Sequence, residues 1–163
     1  MFKILNQSGE EHPNAIPGLV CWYDASEPGT LSREDIFASK FYDKAPGGYI
    51  MYADGDECPK ILQSRFKGKT ILRFETPEQQ LKGEVFRPFE PELILLGVAN
   101  GKLVIDDWSL IHLDPMGVAI PNPDYSFEKR DIAEILVYEL DDFNDLDLEW
   151  VKQYLLDKWE LQE

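Results

Sequence analysis

Glu134 and Glu139 stand in an otherwise apolar run from Ile132 to Leu140, and paired carboxylates are what glycoside hydrolysis needs. Side chains alternate along a strand, so residues five apart face opposite sides. Those two glutamates therefore cannot form the acid and nucleophile pair alone, and salt-bridge or edge roles fit them better. Base chemistry would fall to His12 or His112. Yet the chain has no Gly-x-Ser-x-Gly elbow for a serine nucleophile to pair with them. His112 alternates with Ile111 and Leu113 and reads as a hydrogen-bonded, half-exposed strand residue. Cys21 and Cys58 are the only cysteines; they allow one disulfide at most, read better as two buried thiols, and make no zinc set with two histidines. Oxygen ligands for calcium gather at Asp54 and Asp56 and at Asp106 and Asp107, with Asp141-Asp142 a further pair. None has the spacing of an EF-hand loop, and solvated turns account for each, with calcium the lesser alternative. Four aromatics near turns, Tyr49, Tyr52, Trp108 and Tyr125, offer faces on which a sugar or a protein partner could stack. No Walker loop or dinucleotide glycine fingerprint is present.

Elements must position these residues, and composition limits what the elements can be. With 163 residues and 44% hydrophobic content, one domain can bury about two-thirds of its unfolded surface. Eleven glycines and eleven prolines point to many turns, hence many short strands. A net charge of −15 repels phosphate backbones and anionic lipid, which argues against nucleic-acid and membrane partners. The first residues lack the basic start and apolar run of a secretory signal, so cytosolic synthesis is expected.

Residues 1–15 read as a polar arm and 16–163 as one domain. Leu19 to Tyr23 is short, apolar and aromatic, as a core strand should be. Thr30 to Ser39 reads as a connection with a turn of helix, and Phe41 to Lys44 as strand-like. Thr70 to Phe74 is a strand with Ile71 on one face and Leu72 and Phe74 on the other, after which Pro77 to Gln80 returns to solvent. Asn100-Gly101 between Leu93–Ala99 and Lys102–Ile105 marks a two-residue hairpin turn. Trp108 to Leu113 and Gly117 to Ile120 read as further strands. The run from Ile132 to Leu140 is a buried strand, followed by a turn whose Asn144 can cap a helix over 145–161. Leu148, Val151, Leu155 and Trp159 form that helix's apolar stripe, with Tyr154 beside them. Eight to ten strands and one terminal helix define an all-β antiparallel β-sandwich with a C-terminal α-helix.

Gly18-Leu-Val-Cys-Trp-Tyr-Asp-Ala-Ser26, Thr30-Leu31, Phe41-Tyr-Asp-Lys44 and Ile71-Leu-Arg-Phe74 resemble the opening half of concanavalin A-like, laminin G-like jelly-roll domains of bacterial and phage proteins. The closing stretch, Ile132-Ala-Glu-Ile-Leu-Val-Tyr138 through Tyr154-Leu-Leu-Asp-Lys-Trp159, resembles the end of the same domains. The resemblance covers about half the chain and implies a jelly roll whose first and last strands pair. It does not extend to the Glu-x-Asp-x-x-Glu strand of the glycosidases built on this fold.

The resemblance further implies recognition or virion structure rather than catalysis. The expectation is a non-enzymatic bacteriophage virion surface component, a capsid decoration, fibre or tail protein, made in the host cytoplasm and contacting other virion proteins. No cofactor is expected beyond the calcium alternative. A carbohydrate-binding module for host surface glycans is the alternative function, and a glycoside hydrolase a weaker one.

Overall fold

The computed structural model describes residues 13–64, 68–85 and 92–161. Most of the arm, with His12, lies outside them. The strand on which the others are built is β12 (Arg130–Glu139), buried along nearly its whole length. One edge of β12 pairs with β8 (Leu93–Ala99) from Ile132 to Glu139. Its other edge is divided: β6 (Thr70–Phe74) takes Arg130 to Ile132, and β1 (Leu19–Asp24) takes Glu134 to Tyr138. An apolar run with branched residues suits a position paired on both edges and covered on both faces. Beyond these lie β9 (Lys102–Ile105) on the β8 side and β5 (Lys60–Gln63) on the β6 side. The order continues through β3 (Phe37–Phe41), β4 (Met51–Tyr52), β7 (Leu81–Glu84), β11 (Gly117–Ile120) and β10 (His112–Asp114). All pairings are antiparallel.

This continuous order turns over on itself to make a β-sandwich. Val20, Tyr23, Leu72, Leu95, Ile135 and Val137 from the β12 half share one core with Phe41, Met51, Leu81, Val118 and Ile120 from the other. A second core lies on the outer face of the β12 half, where α1 (Asp145–Lys158) covers Trp22, Leu96, Ala133, Leu136 and Tyr138. Asn144 caps α1 through a reciprocal capping box with Asp147, satisfying helix donors that would otherwise lack partners.

Two register shifts decide which residues face which core. The shift between Leu19 and Cys21 in β1 sends both Val20 and Cys21 inward, and the one between Ile132 and Glu134 in β12 puts Ala133 and Glu134 together on the helix side. A bulge of this kind interrupts strict alternation.

Several sequence expectations need correction. Thr30 to Ser39 is no helical connection: β2 (Leu31–Glu34) pairs with β3 as a hairpin. Its turn places Asp35 at φ +56°, a conformation that aspartate accepts more readily than most residues. The Phe41 to Lys44 strand is displaced, since β3 ends at Phe41, and only His112–Asp114 of the Trp108 region is strand. Gln79 does not return to solvent; it is buried, with its side chain bonded to the Glu75, Thr76 and Cys58 backbone. The helix ends at Lys158, with Trp159 as its C-cap. Its buried face includes Trp150, outside the expected stripe, whereas Leu148 is only partly buried. The Asn100-Gly101 turn is as expected, with φ of +53° and +75°.

Candidate functional site

Charged groups occupy the core beneath α1. Asp24 and Glu134 are cross-strand partners in β1 and β12, and both are 0% exposed. Trp22 and Asp24, two apart in β1, share the helix-facing side, and Glu134 reaches it by alternation with Leu136 and Tyr138 in β12. Tyr154 and Lys158, four apart in α1, project together from the helix. The Lys158 Nζ lies 2.5 Å from Asp24 Oδ2 and 3.0 Å from Glu134 Oε1.

Every carboxylate oxygen in this cluster is engaged. Glu134 accepts the indole N–H of Trp22 at 2.7 Å and of Trp159 at 2.9 Å, and the Tyr154 hydroxyl at 2.7 Å. The Oδ1 of Asp24 accepts the Ser26 backbone N–H at 3.0 Å and its hydroxyl at 2.6 Å. Lys44 approaches Asp24 Oδ2 at 3.2 Å, pairs with Glu27 at 2.8 Å, and sits 3.9 Å above the Trp22 ring. Next to Lys44, Asp43 is a second buried carboxylate, accepting the backbone N–H groups of Trp22, Ala45 and Tyr49. Among the described residues no buried side-chain nitrogen or oxygen lacks a hydrogen-bond partner. Such satisfaction is what allows charges to remain in a core, because breaking one partner of a buried pair leaves the other uncompensated.

Burial sets the protonation of these groups. It drives Glu134 upward, and the Asp24 charge adds to this, against the pull of Lys158 and the Trp159 and Tyr154 hydrogen bonds. Burial also pushes Asp24 up, but Lys158, the Ser26 hydrogen bond and Lys44 outweigh it and hold Asp24 below the usual carboxylate range. Lys158 is lowered by burial and raised further by Glu134 and Asp24, ending above its ordinary value. Burial lifts Asp43 to about 6 despite its three backbone donors. The cluster is thus an ion pair of Lys158 and Asp24 beside Glu134, a carboxyl made more basic than usual by its burial.

Of these residues only Glu134 was weighed for chemistry in the sequence, paired with Glu139 and assigned a salt-bridge or edge role; Asp24, Asp43, Lys44 and Lys158 stood only within the resembling motifs. One available signal was a charged residue repeating on an apolar face: Asp24 two after Trp22, and Lys158 four after Tyr154.

The four aromatics expected at a binding surface are dispersed. Tyr49 is buried in the sandwich core, and its carbonyl accepts the Tyr23 hydroxyl. Tyr52 is 51% exposed beside a groove of about 810 Å3 lined by Gly47, Gly48, Tyr49, Lys82 and Glu84. Here Gly83 is required by close approach, since a Cβ there would lie 2.3 Å from the Ile50 carbonyl oxygen. Trp108 packs partly against the core in a different depression, with Leu93, Leu113 and Leu140. Tyr125, 52% exposed, lies in a third, beside Gln80 and Pro121. Only Tyr49 and Tyr52 share a depression.

Of the calcium candidates, Asp54 precedes and Asp56 lies within an exposed turn at Gly55–Glu57. Asp106 accepts the Leu95 backbone N–H, and Asp107 accepts both donors of Ser109. Among the described residues no three His, Cys, Asp or Glu side chains are grouped to hold a metal ion. His112 is half-exposed, with its ring nitrogens 2.9 Å from Asp114 and 3.4 Å from Asp124. Cys21 and Cys58 are both buried and unpaired. Among the described residues no helix is long and apolar enough to cross a membrane.

Comparison of the chain with protein-family models, with curated proteins and with solved structures gives no match.

Proposed function

We propose that this protein is a non-catalytic binding and structural module with a concanavalin A-like jelly-roll fold, serving as a bacteriophage virion surface component through protein–protein contacts. The observation that carries the reading is the use made of the ionisable residues in the resembling stretches. Asp24, Asp43, Lys44, Glu134 and Lys158 all hold strand, loop and helix together inside the domain. Recognition then falls to the exposed surface. Basic groups on a scaffold complement the charge of −15, and exposed apolar side chains such as Met116 and Leu146 supply contact area. A capsid decoration, fibre or tail position fits a compact, acidic module of this kind.

Glycan binding is the second reading, favoured by the exposed Tyr52 ring beside polar groove residues Lys82 and Glu84. An aromatic face flanked by hydrogen-bonding groups suits the apolar side of a sugar ring. Co-sedimentation of the purified chain with particles of the encoding phage separates the two. Saturable binding at a fixed copy number, unaffected by competing sugars, is expected. Binding to host glycans that is abolished by Tyr52→Ala would replace the structural reading with the second one, and failure to bind particles would overturn the first.

A further inference from the structure

The groups around Lys158 are arranged for more than an ion pair. The geometry points to a spontaneous intramolecular amide bond between Lys158 Nζ and the Asp24 side-chain carboxyl, assisted by Glu134. A nucleophile, an electrophile, a base and donors to the developing oxyanion all meet within one cluster around the fully buried Asp24 and Glu134.

The amine is in place: Nζ is 2.5 Å from Asp24 Oδ2, an oxygen of the carboxyl group whose carbon it would attack. Held reactants of this kind react as if at effective molarities on the order of 10^5 M or more. The base is in place as well, with Glu134 Oε1 3.0 Å from the same nitrogen, within the reach that proton abstraction needs. Its orientation is fixed by the Trp22, Trp159 and Tyr154 donors. On the far side of the electrophile, the Ser26 backbone N–H and hydroxyl both point at Asp24 Oδ1. They are the donors that stabilise negative charge on that oxygen in a tetrahedral intermediate. The Lys44 ammonium, 3.2 Å from Oδ2, favours departure of that oxygen.

The step balances without any further reagent. One ammonium proton passes along the short Nζ to Oδ2 hydrogen bond, leaving a neutral amine beside a neutral carboxylic acid. The nitrogen lone pair forms a bond to Asp24 Cγ, and the carbonyl electrons move onto Oδ1. Glu134 takes a second proton from the nitrogen and delivers it to Oδ2. The Cγ–Oδ2 bond breaks, Oδ2 leaves as water, and the third original proton stays as the amide N–H. Glu134 ends as it began. The resting site favours the ions, with Lys158 held above and Asp24 below its ordinary value, so the neutral amine and acid form only transiently; burial of Asp24 and Glu134 disfavours the return of water once the amide has formed. The product joins residues 134 positions apart, closing most of the chain into a ring that locks α1 to β1. A covalent lock of that span restricts the unfolded chain much as a long-loop disulfide does, but reductants do not open it.

Denaturing intact-mass spectrometry of the purified full chain tests this, followed by proteolytic mapping. The expected mass is one water below that of the sequence, with one branched fragment joining the Asp24 and Lys158 peptides. Lys158→Arg keeps a cation beside both carboxylates but removes the nucleophile; it is expected to fold, judged by circular dichroism, and to retain the full sequence mass. That variant also excludes water loss at the Asp54-Gly55 pair, which it would leave unchanged. Folded wild-type protein that keeps the full sequence mass after prolonged incubation would overturn the proposal and leave a simple ion pair. Water loss that persists in Lys158→Arg would overturn it too.

Discussion

Asp43 carries its chain's pH dependence in a direction opposite to that of Asp24. Its carboxyl titrates near 6 in the fold against an ordinary 3.8, because burial outweighs three backbone donors. Between those values the native state holds a proton that the unfolded chain has released, so stability falls as pH rises from about 4 to about 6. At about 1.4 kcal/mol per unit, the span corresponds to about 3 kcal/mol, present in full below 3.8 and absent above 6. Glu134 is shifted the same way. Asp24, held low by Lys158, Ser26 and Lys44 against its burial, contributes stability above its unfolded value that is lost as pH falls through the folded one. The side-chain carbon resonance of Asp43 is therefore expected to titrate with a midpoint near 6, and the urea midpoint to be higher at pH 5.5 than at pH 7.5. A midpoint near 4 would show that the backbone donors dominate over burial.

Helix α1 has weak local claims to stability and depends on what it covers. Trp159 is fully buried beneath it and donates to Glu134. Trp159→Ala is expected to destabilise the domain by about 3 kcal/mol or more, as large core truncations do. Trp159→Phe, which keeps most of the volume but removes the donor, is expected to cost about 1 to 3 kcal/mol. Chemical denaturation of both variants checks the pair: equal costs would mean that the buried volume adds nothing to the Glu134 hydrogen bond, and no cost for Trp159→Phe would mean that the hydrogen bond contributes nothing separable. The anchoring role of Trp159 was legible in sequence because its spacing from Leu155 and Val151 is helical. Trp150 had the same kind of signal, standing four residues before Tyr154, on which it stacks parallel at 5.7 Å, but the stripe drawn through Leu148 and Val151 left it out. Glu134 was less legible. Alternation with Leu136 and Tyr138 puts it on the helix side, but which face of the strand a helix covers is not written in the strand's own pattern. The β2–β3 hairpin escaped notice because its outer strand is partly exposed and its turn uses Asp35 in place of glycine.

At the scale of the molecule, the class of fold was readable because turn residues punctuate the chain between short apolar runs. The order of strands was not, because pairing between distant segments depends on contacts that local pattern does not encode. That order makes β12 the strand through which the β12 half of the sandwich is connected: β6 and β1 join one edge, β8 joins the other, and each face adjoins a separate core. An amide in such a strand is released only when the whole sandwich opens, whereas a strand with one pairing edge and half-exposed side chains opens alone. Native-state hydrogen exchange followed by NMR should thus find the slowest amides between Ile132 and Tyr138 of β12 and in the facing residues of β8. Their exchange free energies should equal the global unfolding free energy. The amides of β2 and β10, which lie at sheet margins, should exchange at least about tenfold faster, corresponding to about 1.4 kcal/mol of easier opening. Protection in β2 equal to that in β12 would mean that the two halves of the sandwich open as one unit and that β12 has no special place in its stability.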